Sequence, residues 1–164
     1  MANKYEMPTA KFLINAEADI RGKKSMQLSF TEILTAVDQE ENRNEKIEIL
    51  RKNYKPAMVN LFQSVFDPNV KWLLPKGPIK YTPTDYNDVE GRLFQESKKL
   101  YLFVEGGNPS LSDERRLHLF MQVLESVTPA DAELMIEFKD KHMPFKSVTP
   151  DLVNEAIGTQ FPTT

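Results

Sequence analysis

The sequence contains no cysteine and only two histidines, His118 and His142, among its 164 residues. Without cysteine the chain can form neither disulfides nor a thiolate nucleophile nor a cysteine-ligated metal cluster. No stretch approaches the roughly 18 consecutive apolar residues that a membrane helix needs. The formal net charge is only −3, which argues against a strongly basic binder of nucleic acid or membranes. We therefore expect a protein that does not enter membranes and has few residues for catalysis.

Apolar residues make up 40% and charged residues 27% of the chain, a composition that can form one hydrophobic core. The N-terminus lacks the apolar segment of a signal peptide, so we expect the protein to stay in the cytoplasm. Residues 1–28 hold five basic and three acidic residues and are predicted to be a basic leader. A helical domain is predicted over residues 29–158, followed by a C-terminal tail, 159–164, that should fray.

Capping signals and a 3.6-residue apolar period predict an all-α fold. Ser29 and Glu32 form a capping box, and Thr128-Pro129 and Thr149-Pro150 are further helix starts. The predicted helices run from Ser29, from Asn44 to Asn53, from Pro56 to Phe66, from Asp88 to Val104, from Ser112 to Ser126, from Thr128, and from Thr149 to Gly158. We expect an irregular single-domain bundle of about six to seven helices, with a long proline-rich loop at 74–87.

The apolar period also predicts which residues face the core. In the first helix they are Phe30, Ile33, Leu34 and Val37. In the helix after Ser112 they are Leu117, Phe120, Met121 and Leu124. After Asp67-Pro68 we predict one short helical turn bearing Val70, Trp72 and Leu73.

Glu133, Glu137 and Asp140, with His142 beyond them, form the densest acidic group of the chain. A metal site is conceivable there, but neither histidine follows a glutamate by three residues as in dimetal bundles, so a solvated helix face is the preferred interpretation. His118 has two interpretations, a proton shuttle or a histidine at the edge of the core that bonds the backbone, and the second is preferred. No nucleophile-elbow, phosphate-loop or dinucleotide-binding pattern occurs. We expect no catalytic residue, no metal and no cofactor.

The start of the loop combines positive charge with aromatic rings: Lys71, Trp72, Lys76, Lys80 and Tyr81. Tryptophan and tyrosine are favoured anchors at protein interfaces. Lysines with rings also bind single-stranded nucleic acid, through phosphates and stacked bases. A third interpretation is that Trp72 and its neighbours fold inward and cover an open end of the bundle while the lysines are merely solvated. The sequence leaves all three open.

Four segments resemble a known family: Glu45–Arg51 (EKIEILR), Phe66–Pro78 (FDPNVKWLLPKGP), Lys99–Gly107 (KLYLFVEGG) and Ala132–Lys141 (AELMIEFKDK). They are similar to an uncharacterised family encoded by contractile-tailed phages of the T-even type, notably those that infect marine cyanobacteria. The resemblance covers about residues 30–158 and leaves the basic leader outside it. It implies a viral origin and a setting in the host cytoplasm, and it assigns no catalytic residue.

These observations predict a non-enzymatic phage protein that binds another phage or host protein during virion assembly or host takeover. The expected contact residues are Lys71, Trp72, Lys76, Lys80 and Tyr81. The alternative is an accessory factor that binds single-stranded nucleic acid in phage replication or transcription. We expect the protein in the host cytoplasm or associated with the virion, without a membrane partner, and a homo-oligomer is left open.

Overall fold

A computed structural model describes residues 27–86 and 89–163, and in these residues it contains seven α-helices, one 3-10 helix and no sheet. The helices are α1 (Phe30–Gln39), α2 (Arg43–Lys52), α3 (Ala57–Phe66), α4 (Arg92–Glu96), the 3-10 helix (Ser97–Phe103), α5 (Asp113–Ser126), α6 (Pro129–Lys139) and α7 (Pro150–Ile157). The predicted all-α class is confirmed, and residues 74–86 form the predicted irregular loop. The predicted leader lies outside the described residues except for Gln27 and Leu28.

Helix α1 begins at the predicted capping box. The Ser29 hydroxyl accepts a hydrogen bond from the Glu32 amide at 3.2 Å, and the Glu32 carboxylate accepts one from the Ser29 amide at 2.9 Å. Thr128 and Thr149 cap α6 and α7 as their sequences predict. The start of α2 is displaced from the prediction, because Asn42 rather than Asn44 caps it through the amides of Asn44 and Glu45.

The core has an aromatic centre at Phe30 of α1. Its ring lies edge-on to Phe62 of α3, Phe94 of α4 and Phe138 of α6, with centroids 5.3, 6.0 and 6.2 Å away. All four rings are almost fully buried. Edge-to-face pairs add to the stabilisation that comes from burial of the rings. Phe30 therefore joins four helices at one point.

The predicted helix from Asp88 to Val104 is wrong in type over Ser97–Phe103, seven residues that form a 3-10 helix instead. Gly91 is the cap of α4, and from Ser97 the chain tightens into the 3-10 helix. Because a 3-10 helix has three residues per turn, Ser97, Leu100 and Phe103 align and are buried together. Tyr101, which an α-helical period places inward, is instead 54% exposed.

Helix α5 is rotated relative to the predicted face. Arg116, Phe120, Val123 and Leu124 are buried, whereas Leu117 and Met121 are only half-buried. The buried guanidinium of Arg116 donates to the carbonyl oxygens of Leu102 and Leu111 at 3.0 and 2.9 Å, and to the Asp113 carboxylate at 2.8 Å. Arg116 thus fixes the connection between the 3-10 helix and α5, and these bonds compensate for its burial.

The C-terminal segment after α7 is anchored rather than frayed. Gly158 ends α7 in the left-handed conformation, at φ 80°. The side chain of Asn154 then donates to the carbonyl of Phe161 and accepts from its amide, both at 2.9 Å. The Phe161 ring packs against Phe66, with centroids 5.9 Å apart. The predicted fraying is therefore wrong for the described residues 159–163.

Two adjacent glycines should respond differently to alanine. A Cβ on Gly107 would overlap the carbonyl oxygen of Tyr101, whereas Gly106 has open space but a φ of 86°. We expect Gly107→Ala to lower the free energy of unfolding by about 2–3 kcal/mol through steric overlap. Gly106→Ala should lower it by about 1 kcal/mol through backbone strain. Urea denaturation measures both, and equal losses would contradict the close approach of residue 107 to Tyr101.

Candidate functional site

The loop from Lys71 to Tyr86 (hereafter the loop) starts as a short extended segment paired with the chain after the 3-10 helix. Trp72 and Val104 form an isolated antiparallel bridge, in which the Leu73 amide donates to Phe103 and the Glu105 amide donates to Lys71, both at 2.8 Å. The predicted helical turn bearing Trp72 is therefore wrong. Asp67 and Pro68 do begin a turn. The chain after this turn is extended because it pairs with residues 103–105.

Trp72 is part of the fold rather than a free anchor. Its indole Nε1 donates to the Ser64 carbonyl at 2.8 Å, and its ring lies edge-on to Phe120 at 6.1 Å. The side chain is half-buried against the core. A tryptophan whose one donor is satisfied and whose ring is packed contributes mainly to the stability of the fold and not to partner binding. This arrangement matches the interpretation in which Trp72 folds inward.

The middle of the loop is held by the C-terminal end of α6. The Lys139 ammonium, whose side chain is fully buried, donates to the Gly77 carbonyl at 2.7 Å and to the Asp140 carboxylate at 2.9 Å. Asp140 in turn accepts from the Gly77 amide at 3.1 Å. Burial alone would raise the pKa of Asp140, but the hydrogen bonds from Lys139 and Gly77, with the charges of Lys139 and Lys76, outweigh it and lower the pKa. The carbonyl of Gly77 is thus bound by the last residue of α6, and its amide by the residue that follows.

Lys141 binds the segment that precedes the loop. It is the one described residue other than glycine with a positive φ, 62°, and its ammonium donates to three carbonyl oxygens. These belong to Ser64, Asp67 and Val70, at 3.2, 2.7 and 3.1 Å. A cation at the C-terminal end of α3 binds carbonyls that the helix leaves unpaired. Burial lowers the pKa of Lys141, while Asp67 opposes that effect.

The far part of the loop crosses α5 and α6. The Tyr81 hydroxyl donates to the Glu133 carboxylate of α6 at 2.5 Å, and the Thr82 amide donates to the Glu125 carboxylate of α5 at 2.8 Å. Tyr81 is half-buried and packs against the core. Its hydroxyl is therefore engaged, and Tyr81 serves mainly to attach the loop.

The five predicted contact residues consequently divide into two groups. Trp72 and Tyr81 attach the loop to the domain, while Lys71, Lys76 and Lys80 are exposed along it. Exposed apolar side chains accompany the lysines: Leu73 is 39% and Tyr86 is 76% exposed. The five predicted residues therefore lie along one loop, but only the three lysines among them are exposed.

The acidic residues in and just after α6 have separate partners in the structure. Glu133 and Asp140 bind the loop, and Glu137 pairs with His142 on the surface. No group of three or more metal-ligating side chains occurs within the described residues. The prediction of a wholly solvated face is wrong for Glu133 and Asp140, because the loop lies over them. His118 is exposed and bonds Gln122, so its predicted place at the core edge is also wrong.

Asp131, in the first turn of α6, is a buried carboxylate that was not among the predicted site residues. Its Oδ1 accepts from the Thr31 amide at 2.9 Å and from the Thr31 hydroxyl at 2.5 Å, so it caps α1 from α6. Its Oδ2 is buried without a hydrogen-bond partner among the described residues. Burial raises the pKa of Asp131 to about 6, although the hydrogen bonds from Thr31 oppose this and the nearby Glu32 adds to it.

Removing the Lys139 ammonium tests the attachment of the loop. We expect Lys139→Ala to lower the free energy of unfolding by about 2 kcal/mol, because Gly77 and Asp140 lose a charged donor. Asp140 is 27% exposed in its side chain, so water limits the loss. Lys146→Ala, at an exposed position, is the control and should change stability by less than about 0.5 kcal/mol. Equal stabilities of the two variants in urea denaturation would contradict the role of Lys139.

Taken together, the geometry defines an all-α domain that carries a long, irregular but firmly attached loop. The sequence profile of a family of unknown function, DUF6433, matches residues 33–144, about two thirds of the chain, so the chain belongs to that family. The match includes the loop and the residues of α6 that hold it. No curated protein and no solved structure matches the chain. In the described residues no helix is long and apolar enough to span a membrane.

Proposed function

We propose that this protein is a non-enzymatic, phage-encoded factor that binds another phage or host protein through the loop, during virion assembly or host takeover. One observation carries the proposal: the loop has no regular secondary structure, yet it is bound to the domain at its start through Trp72, in its middle through Gly77, and at Tyr81. Loops of this length in compact domains usually serve a function. The phage setting rests on the sequence resemblance described above.

The attachment of the loop bears directly on binding. Ordering a flexible segment costs free energy when a partner binds, and a segment that is already ordered avoids that cost. Lys139 and Asp140 fix the loop backbone at Gly77, and Glu133 holds the side chain of Tyr81, while the lysines remain exposed. Lys71, Lys76 and Lys80 have no ion pair within the part of the chain that the structure describes. Their charges are therefore available to a partner.

Charge reversal at the three lysines tests the proposal. The tagged full chain is purified from cells infected by the phage that encodes it, with Lys71→Glu/Lys76→Glu/Lys80→Glu beside the unaltered protein. The control is Lys52→Glu/Arg115→Glu/Lys146→Glu, which changes the net charge equally at exposed positions outside the loop. We expect a protein partner that the first variant loses and the control retains. Absence of any partner, or equal loss in both variants, would contradict the proposal.

A second candidate is the binding of single-stranded nucleic acid by the same lysines. The observation that favours it is the presence of three exposed cations along one loop, as in grooves that follow a phosphate backbone. Titration with oligodeoxythymidylate at low and high salt distinguishes the two candidates. Phosphate contacts predict affinity that falls steeply with salt, whereas a protein-binding loop predicts no binding at low salt.

A further inference from the structure

The 3-10 helix provides a second exposed surface beside the start of the loop. Residues three apart lie in one row on such a helix, so Lys98 and Tyr101 share its outer row. Both side chains are exposed, Tyr101 by 54%. The Leu73 amide bonds the carbonyl of Phe103, two residues after Tyr101, which brings the loop and the end of the 3-10 helix together. The α-helix predicted for this segment did not indicate that Lys98 and Tyr101 lie beside the loop.

The exposed side chains of the loop and of the outer row of the 3-10 helix together indicate what kind of partner they bind. Four exposed lysines, Lys71, Lys76, Lys80 and Lys98, have no hydrogen bond or ion pair from their side chains within the described residues. Leu73 and Tyr101 are the large apolar side chains among them. Cations around exposed apolar groups complement a segment that carries both carboxylates and apolar side chains.

The acidic residues within the same surface argue against a phosphate backbone as its ligand. The Glu105 amide bonds the Lys71 carbonyl, which places Glu105 directly across the bridge from Lys71. Asp140 lies close enough to Lys76 for that ammonium to lower its pKa. The evenly spaced phosphates of a nucleic acid would be repelled by these carboxylates. A protein segment can instead place its acidic side chains opposite the lysines and away from the carboxylates.

We infer that the binding surface extends from the loop onto the 3-10 helix, with Leu73 and Tyr101 as its apolar contacts, and that its partner is an acidic segment of another protein. The inference rests on the proposed function and makes it specific. It also replaces Trp72 and Tyr81 as anchors, because those two rings are already engaged within the fold.

Site-specific crosslinking tests the inference. A photoreactive phenylalanine derivative is placed at position 101 of the full chain, and at position 54 as the control, because Tyr54 is 44% exposed at the turn between α2 and α3. Crosslinking is done in infected cells, and the attached peptide is identified by mass spectrometry. We expect position 101 to crosslink to a protein segment in which acidic residues outnumber basic ones, and position 54 to give no such product. A neutral or basic segment, nucleic acid, or a second copy of this chain at position 101 would overturn the inference.

A variant measurement separates this inference from the proposed function. Leu73→Ser/Tyr101→Ala should reduce capture of the partner by about tenfold or more, as for central interface residues. Both side chains are exposed, so the melting temperature should stay close to that of the unaltered protein, and Tyr54→Ala should leave capture intact. If the unaltered chain captures a partner and the double variant captures it equally well, this inference fails alone. If the unaltered chain captures nothing, the proposed function fails with it.

Discussion

Replacing Phe30 by alanine should lower the free energy of unfolding by about 3–5 kcal/mol, the range for a fully buried phenylalanine. Phe30 contacts three other rings, from α3, α4 and α6, so its loss removes edge-to-face pairs and leaves a cavity where four helices meet. Domains of this size are usually stable by only about 5–15 kcal/mol. We therefore expect the variant to melt at a much lower temperature.

Phe66→Ala is the matched control for the Phe30 prediction. Phe66 also contacts two rings, Phe62 at 5.8 Å and Phe161 at 5.9 Å, but it is only half-buried. Its loss should cost about 1–2 kcal/mol, since less surface returns to water and a smaller cavity forms. Urea denaturation of both variants gives the comparison. A smaller loss for Phe30→Ala than for Phe66→Ala would mean that the core is not centred on Phe30.

The second large effect is a dependence of stability on pH that comes from Asp131. Burial raises the pKa of its carboxyl from the usual 3.8 to about 6 in the folded protein. The folded chain therefore holds this proton more tightly than the unfolded chain does. Well below pH 3.8 both states are protonated and Asp131 costs nothing. As the pH rises to about 6 the stability falls, by about 3 kcal/mol for a pKa difference of about two.

Asp131→Asn isolates this contribution from those of other carboxyl groups. The amide oxygen can still accept from Thr31, but the side chain no longer titrates. We expect the stability of the unaltered protein, relative to Asp131→Asn, to decrease between pH 4 and pH 7 in denaturation experiments. The absolute stability of the variant is less informative, because its amide NH2 occupies a position without a partner. A pH-independent difference would show that Asp131 is ionised at little cost.

Asp140 should give the opposite dependence. Although burial acts to raise its pKa, the bonds from Lys139 and Gly77 lower it overall, so its ionised form stabilises the fold. That stabilisation is present above the usual pKa and is lost as the pH falls below it. Asp140→Asn should therefore lose stability relative to the unaltered protein at neutral pH and less so in acid. The same denaturation series compares the two aspartates.

The parts of the fold that local signals determine were predictable from the sequence. The Ser29 capping box and the threonine-proline starts place helices without reference to distant residues, and both are present. The apolar period also identified the buried face of α1. The 3-10 helix was not predictable, because a difference between three and 3.6 residues per turn is small over seven residues and is decided by packing.

The attachment of the loop could not be predicted, because it depends on pairs far apart in the chain. Asp140 was predicted to lie on a solvated helix face, and only the folded chain brings Gly77 to Asp140 and Lys139. The same holds for Lys141 and the carbonyls around Asp67. The burial of Arg116 could not be predicted for the same reason, since two of its partners are the carbonyls of Leu102, in the 3-10 helix, and Leu111, in the connection that follows. The exposed lysines were found because exposure is the usual state of that residue.

The central claim is that the backbone of the loop is fixed to the domain while its lysine side chains remain exposed. Amide hydrogen exchange of the full chain, followed by NMR, tests it most directly. The amides of Leu73, Gly77 and Thr82 donate to Phe103, Asp140 and Glu125, so we expect them to exchange slowly, in contrast to Lys76 and Lys80, whose amides make no such bond among the described residues. Equally fast exchange at all five positions would contradict the account.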